Sequence, residues 1–146
     1  MSFSLDEIER YSRQILLPEW GAAGQERLCS VRIEVLGVSL CAEMALRYLG
    51  AAGVGALCVT TEEQAALVRT INPHVAVATG AAPPPTDAAA AVRGEGLWLV
   101  APAADATDAN HANPHAAGAA LALETLKALL GLPYRATATV HRGEHE

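Results

Sequence analysis

A turn between a predicted strand and a predicted helix is the first place where this sequence could bind a ligand. The strand is the apolar run of residues 31–36, and the helix begins at Leu40. Glycines in such a turn let backbone N–H groups approach a phosphate at the start of the helix, where the helix dipole favours negative charge. Here only Gly37 is a glycine, Ser39 and Leu40 follow it, and Glu43 adds a carboxylate in the first helical turn. The sequence therefore indicates a nucleotide-type turn that is poorly suited to phosphate.

The second predicted strand, residues 56–60, should end in an acidic residue if it held the ribose hydroxyls of a nucleotide. Thr60 and Thr61 occupy that place instead, and Glu62 and Glu63 come directly after them. Glu62 could bend back toward a ribose, although an acidic residue that simply opens the next helix is the commoner arrangement. Both interpretations of Glu62 stay open from the sequence.

Residues of metal-binding type are present, but none has a convincing spacing. Asp105 and Asp108 could be metal ligands, yet loop aspartates more often cap turns. His111 and His115 are four apart, but Pro114 indicates that the helix begins between them. His141 and His145 in the tail are no stronger, and the three cysteines form no C-x-x-C pair, so we expect reduced core thiols and no metal. The cysteines are Cys29, Cys41 and Cys58.

Alternating apolar segments predict the elements that would position these residues. Ser4 and Glu7 form a capping box for a first helix that ends at Pro18. Asn113 and Pro114 open a last helix, which Gly131 closes. Between them the sequence predicts helices at 22–28, 40–52 and 62–70, and strands at 31–36, 56–60, 74–79 and 97–100. An alanine-rich helix is expected to begin near Thr86 or Asp87, after the turn Pro83-Pro84-Pro85. We predict an α/β, truncated Rossmann-like three-layer fold, with a small mostly parallel sheet flanked by helices.

Length and charge limit the number of domains and the kinds of partner that this chain could have. The 146 residues suffice for one domain, which we place at 1–133 with an N-terminal helical arm at 1–29, followed by a strand or tail at 134–146. The net charge of -6 and the lack of a basic cluster argue against nucleic acid. No apolar stretch reaches the roughly 20 residues that span a bilayer, and acidic residues stand where a signal peptide would be basic. We expect a cytoplasmic protein without membrane contact.

Several segments carry a resemblance to a known family. RYSRQILLPEWGAAGQERL, at residues 10–28, and VRIEVLGVSLCAEMALRYLGAAGVGALCV, at residues 31–59, resemble the entrance, phosphate loop and following helix of the ThiF/MoeB/HesA family. INPHVAV at 71–77 and GAALALETLKALLG at 118–131 resemble later parts of the same fold. These proteins are bacterial relatives of ubiquitin-activating enzymes. They use ATP and magnesium to adenylate the C-terminal glycine of a small ubiquitin-like or sulfur-carrier protein.

The resemblance also implies roles for particular residues. The family's phosphate loop is G-x-G-G-x-G, and this chain keeps only Gly37, with Ser39, Leu40 and Ala42 at the other glycine positions. A leucine where the loop needs positive φ is expected to cost about 1 kcal/mol or more. In the family, the arginine matching Arg13 reaches across a dimer interface into the partner's nucleotide site. The alternative for Arg13 is a surface residue paired with Glu9 or Glu26.

Together these features predict a condensed, catalytically degenerate family member that needs no cofactor. It would be a homodimer that serves as a binding or accessory module for an active homologue or for a ubiquitin-like or sulfur-carrier protein, much as one half of some paired eukaryotic relatives is inactive and lends its arginine. Gly37, Ser39 and Glu62 would be remnants of the ATP site, and Arg13 would act in trans. The alternative is a minimal adenylyltransferase that binds ATP and magnesium and uses Arg13 with Glu62 or Asp105 in altered roles.

Overall fold

A computed structural model describes residues 2–103 and 113–137 of the chain. Within these ranges, helices and strands follow one another in the order α1 (Leu5–Ile15), α2 (Gly21–Ser30), β1 (Arg32–Leu36), α3 (Leu40–Ala52), β2 (Ala56–Val59), α4 (Glu62–Ile71), β3 (Ala76–Thr79), β4 (Ala88–Gly94), β5 (Leu97–Pro102) and α5 (Pro114–Leu129). No helix in this part of the chain is long and apolar enough to cross a membrane.

The strands form a single five-stranded sheet in the order β3-β2-β1-β4-β5. Strands β1, β2 and β3 pair in parallel, whereas β4 is antiparallel to both β1 and β5. Strand β5 therefore points the same way as the first three, and only β4 is reversed. The predicted fold class, an α/β fold with a mostly parallel sheet flanked by helices, is confirmed.

One predicted element is wrong. The alanine-rich segment after the prolines was expected to be a helix beginning near Thr86 or Asp87, but it forms strand β4. Alanine favours helix only weakly, and tertiary context overrides such a preference. Ala90, Ala91 and Val92 are buried between β1 and β5. The two-residue turn Glu95–Gly96, in which both residues have positive φ, then joins β4 to β5 as a tight hairpin.

The hydrophobic core lies on one face of the sheet. Side chains alternate along a strand, and one set of strand residues is buried against helices α3, α4 and α5. This set includes Ile33, Val35, Leu57, Val59, Val92 and Leu99. Helices α3 and α5 approach closely at Gly118, where an added Cβ would lie 2.4 Å from the carbonyl oxygen of Cys41. A side chain at this position would separate the two helices.

The opposite face of the sheet is much more exposed, and we call it the open face. It consists of Arg32, Glu34, Ala56, Cys58, Ala76, Ala78, Arg93 and Trp98, none of which is buried. Toward the carboxyl end of β1 the same face is covered, since Leu36 and Ala91 are buried. The open face is thus the half of the sheet surface nearer the start of β1.

Helix α1 begins at the predicted capping box, in which the Ser4 hydroxyl accepts from Glu7 N and the Glu7 carboxylate accepts from Ser4 N. Its side chains then fasten the arm to the far ends of α3 and α4. The buried Tyr11 hydroxyl accepts a hydrogen bond of 2.8 Å from Asn72 Nδ2, whose amide also donates to Gly50 O. Burial raises the pKa of this hydroxyl. Arg10 donates to Ile71 O.

The second half of the arm is held by Gln25, which is fully buried. Its side-chain oxygen accepts hydrogen bonds from Gln14 Nε2 at 3.0 Å and from Trp20 Nε1 at 2.9 Å, while its amide donates to Ala52 O. Gly53, with φ of 91°, leaves no room for a side chain, because a Cβ there would lie 2.6 Å from the Tyr11 ring. The arm is therefore an integral part of the domain.

The last described residues return to the sheet. Thr137 forms a parallel bridge with Val100 at the free edge of β5, and Val100 N donates to Ala136 O. The buried Glu124 of α5 positions the segment before this bridge, because its carboxylate accepts a hydrogen bond from Arg135 N. The same carboxylate accepts from Lys127 Nζ. The remainder of the predicted tail, residues 138–146, lies outside the described residues.

Candidate functional site

The turn after β1 contains Gly37, the glycine for which the sequence predicts a place in a phosphate-binding loop, and its conformation requires glycine. Gly37 has φ of 114°, a region that L side chains rarely adopt. A Cβ at this position would also lie 2.9 Å from the carbonyl oxygen of Ala89 in β4. Gly37 is therefore fixed by the neighbouring reversed strand as well as by the turn.

Ser39 begins helix α3 as its N-cap. Its hydroxyl accepts from Ala42 N at 3.2 Å and donates to Ala89 O at 2.6 Å. Leu40 is the first residue of α3, and Glu95 is the only non-glycine residue with positive φ in the described part of the chain. The expectation of strain at Leu40 is therefore wrong, because the serine cap lets the helix start in ordinary geometry. The Leu40 side chain is exposed and does not fill the turn.

Gln64 links this turn to the end of the next strand. Its buried amide donates to Gly37 O at 2.9 Å, and its oxygen accepts from Thr60 N and Thr61 N. Thr61 in turn caps α4, so the pair forms a capping box. The role of Gln64 did not emerge from the sequence analysis, although Thr61-x-x-Gln64 is the signature of such a box.

A cleft of about 470 Å³ opens beside this turn, between the start of α3 and one face of α4. Two carboxylates and several apolar groups line it: Val38, Glu43, Thr61, Glu63, Gln64, Ala66, Leu67 and Thr70. Glu43 makes the predicted pair with Arg47, at 3.1 Å. The cleft is acidic, so its field favours a neutral or cationic group over a phosphate.

The four residues proposed for the site fall into two places. Gly37 and Ser39 lie in the turn after β1, and Glu62 opens α4 at the neighbouring strand end, where it is exposed and 3.9 Å from Arg69. Arg13 belongs to the arm, whose contacts are at the far end of α3. Thirteen helical residues span about 20 Å, so Arg13 is remote from the turn of its own chain.

Arg13 is exposed and lies within 4.0 Å of no carboxylate, including Glu9 and Glu26, among the described residues. The alternative pairing proposed from the sequence is therefore not formed.

Some residues considered as metal ligands cannot be placed. Asp105, Asp108, His111, His141 and His145 lie outside the described residues. His115 is described, and its backbone N–H donates to the predicted N-cap, Asn113. The three cysteines have free thiols, and burial raises the pKa of Cys41 to about 11, in keeping with a small core residue. Cys29 and Cys58 are only partly buried, so the expectation that all three are core residues is wrong for these two.

Helices and a mostly parallel sheet, with a glycine turn and a helix start after β1, define a Rossmann-like α/β domain. Similar proteins narrow this class. The chain is 43% identical over 65 residues to the SAMP-activating enzyme E1 of Haloferax volcanii, 51% identical over 51 residues to the protein HesA, heterocyst, of Trichormus variabilis, and 44% identical over 55 residues to the sulfur carrier protein adenylyltransferase of Thermus thermophilus.

These matches cover 43%, 35% and 38% of this chain, and 24%, 19% and 20% of the respective relatives. The chain is thus related, over this stretch, to the ThiF/MoeB/HesA-type adenylyltransferases, which resemble ubiquitin-activating enzymes. The matched stretch spans about a quarter or less of these relatives. No protein-family model matches the chain.

Proposed function

We propose that this chain is a catalytically degenerate relative of the adenylyltransferases. It acts as a dimeric binding or accessory module for a related adenylating enzyme, or for a sulfur-carrier or ubiquitin-like protein. The observation that carries the proposal is the bonding of Ser39, whose hydroxyl caps α3 and is tied to Ala89 O. The serine side chain and the reversed strand stand where a glycine-rich loop would receive phosphate.

The residues around this turn do not fit a triphosphate. A phosphate needs several backbone N–H groups at the helix start and a positive field. Here the Ser39 hydroxyl already accepts from Ala42 N, and Thr60 N and Thr61 N donate to Gln64. Glu63 and the Arg47-paired Glu43 line the adjacent cleft, and its described lining includes no cation that could bind the phosphate charge. The geometry of the turn therefore supports a role that does not depend on ATP.

The arm supports an accessory role. Tyr11, Gln14 and Gln25 hold it rigidly against the domain, while Arg13 points away from these contacts as an exposed cation. A rigid arm presents its arginine at a fixed place, which suits contact with a second protein. The names of the relatives provide the class of partner, since one of them is a sulfur carrier protein adenylyltransferase.

Calorimetry tests whether the chain binds ATP. With ATP and Mg²⁺ we expect no binding in the low micromolar range, because the Ser39 hydroxyl already accepts from Ala42 N at the helix start and the described lining of the cleft holds two carboxylates and no cation. A sulfur-carrier protein should bind, and Arg13→Ala should weaken that binding by about tenfold if the arginine makes a charged contact. Arg27→Ala, an exposed arginine on α2, is the matched control and should leave the affinity unchanged.

Two results would contradict the proposal. One is ATP and magnesium binding that disappears in Arg13→Ala, which is the behaviour of a minimal adenylyltransferase. The other is exchange of pyrophosphate into ATP that the carrier protein stimulates, since this exchange reports adenylate formation.

A further inference from the structure

A continuous row of side chains crosses the open face of the sheet. Strand register places Ala78, Cys58, Glu34, Arg93 and Trp98 opposite one another, from β3 to β5. Residues that are directly opposite in neighbouring strands lie on the same face, so all five project from the open face. The row runs from one edge of the sheet to the other.

The chemistry of this row is that of an interface. Glu34 and Arg93 form a pair at 2.9 Å in the middle of the sheet, and both remain partly exposed. Trp98, which is 46% exposed, stands next to Arg93. Tryptophan and arginine are the residue types that most often dominate binding energy when they are covered by a partner. Small side chains, such as those of Ala56 and Ala78, leave the other half of the face flat enough for close approach.

The charges on the open face and the adjacent hairpin turn balance, although the whole chain carries -6. Arg32 and Arg93 contribute two positive charges, Glu34 contributes a negative one, and Glu95 at the adjacent hairpin turn contributes a second, its carboxylate accepting from Arg32 N. A twofold interface brings the same patch of two copies together, so a charged patch avoids repulsion only when it carries both signs. The open face meets this condition, whereas a face for a strongly basic or acidic partner would carry one sign.

We propose that the open face is the surface through which two copies of this chain associate. Arg93 of one copy then faces Glu34 of its partner, and Trp98 is covered by the small side chains of β2 and β3. This inference assigns the interface of the dimer in the proposed function, and it rests on that dimer.

Sedimentation analysis across micromolar concentrations tests this interface. Trp98→Glu should weaken dimerisation by at least about tenfold, because tryptophan supplies the largest apolar contact in the row. Leu123→Glu is the matched control, since Leu123 is 52% exposed but lies on α5, away from the open face, and it should leave the dimer intact.

A charge exchange makes the test specific. Glu34→Arg and Arg93→Glu should each weaken the dimer, and the double variant should restore it, because the exchanged charges match again both within and between copies. Circular dichroism checks that every variant is folded. Failure of the double variant to recover would overturn the assignment, as would a dimer that Trp98→Glu does not affect.

The variant Leu16→Glu separates this inference from the proposed function. Leu16 follows α1 and is exposed, so it reports an interface formed by the arm. A dimer that is lost in Leu16→Glu and kept in Trp98→Glu would overturn the open-face interface but leave a dimeric accessory module standing. A wild-type chain that stays monomeric would remove the dimer from both proposals, while binding of a carrier protein would still be measured separately.

Discussion

Gly118→Ala is expected to lower the free energy of unfolding by about 3 kcal/mol, the upper range for overpacking a core. The added Cβ would lie 2.4 Å from Cys41 O and 2.6 Å from the Met44 Cβ, so α3 and α5 must move apart. Neither neighbour can yield easily, because one is helix backbone and the other is anchored directly to it. Urea denaturation monitored by circular dichroism measures the change.

Gly50→Ala is the matched control, since Gly50 is also a buried glycine within a helix. A Cβ there would meet Val68 at 3.6 Å, an ordinary van der Waals distance. Alanine in place of a helical glycine gains about 0.5–1 kcal/mol, so this variant should be neutral or more stable. Equal destabilisation by the two substitutions would show that the close approach of α3 and α5 does not determine the cost.

Tyr11→Ala is expected to destabilise the domain by about 3–5 kcal/mol, as for other large aromatic residues removed from a core. Tyr11 is 1% exposed, contacts the backbone at Gly53 and accepts the hydrogen bond from Asn72. Tyr11→Phe keeps the ring and should cost about 1–2 kcal/mol, because it leaves one buried amide proton of Asn72 without its acceptor. Thermal or urea denaturation provides both values.

Tyr48→Ala is the control for tyrosine removal, because Tyr48 is 48% exposed on α3. We expect a change below about 1 kcal/mol, as at other surface positions. If Tyr11→Ala had an equally small effect, the arm would not contribute to the stability of the domain, and its description as an integral part would be wrong.

Local sequence signals predicted most of the helices well. The Ser4–Glu7 box and the Asn113–Pro114 start lie where the sequence places them, and α3 has the predicted bounds. These signals succeed because a cap or a helix-start proline acts on residues within one turn. Strand β4 was not predicted because it is stabilised by pairing with β1 and β5, and not by its own residues. Strand β1 is distant in sequence, and β5 comes only after β4.

The candidate site depended on that missed strand. The sequence indicated that Ser39 replaces a loop glycine, but it could not show that the hydroxyl donates to Ala89 O, since Ala89 was assigned to a helix. The Ser39 cap also explains why the backbone at Leu40 is not strained. The capping box of Gln64 is visible in the sequence. Its hydrogen bond to Gly37 O is not, because this bond depends on the ends of β1 and β2 being neighbours in the sheet.

The run at residues 10–28 contains both the exposed Arg13 and side chains that hold the arm to the domain. The family resemblance implies a role for Arg13, whereas its neighbours Arg10, Tyr11 and Gln14 form hydrogen bonds within the domain. Such contacts are hard to predict because Asn72 is 61 residues from Tyr11. Much of the run can therefore persist for folding alone, whether or not Arg13 meets a partner.

The dependence of Tyr11 on Asn72 also has a consequence for the order of folding. The arm is synthesised before the rest of the described domain, yet its side chains cannot make their anchoring contacts until α4 has formed and brought Asn72 into place. The β4–β5 hairpin, by contrast, closes through a two-residue turn. Contacts between distant residues form late because a long loop must close first. In a pulse-labelling experiment during refolding, the amides of β4 and β5 should be protected before those of α1. In a nascent chain that ends before residue 72, Tyr11 of the arm would lack its hydrogen-bond partner Asn72.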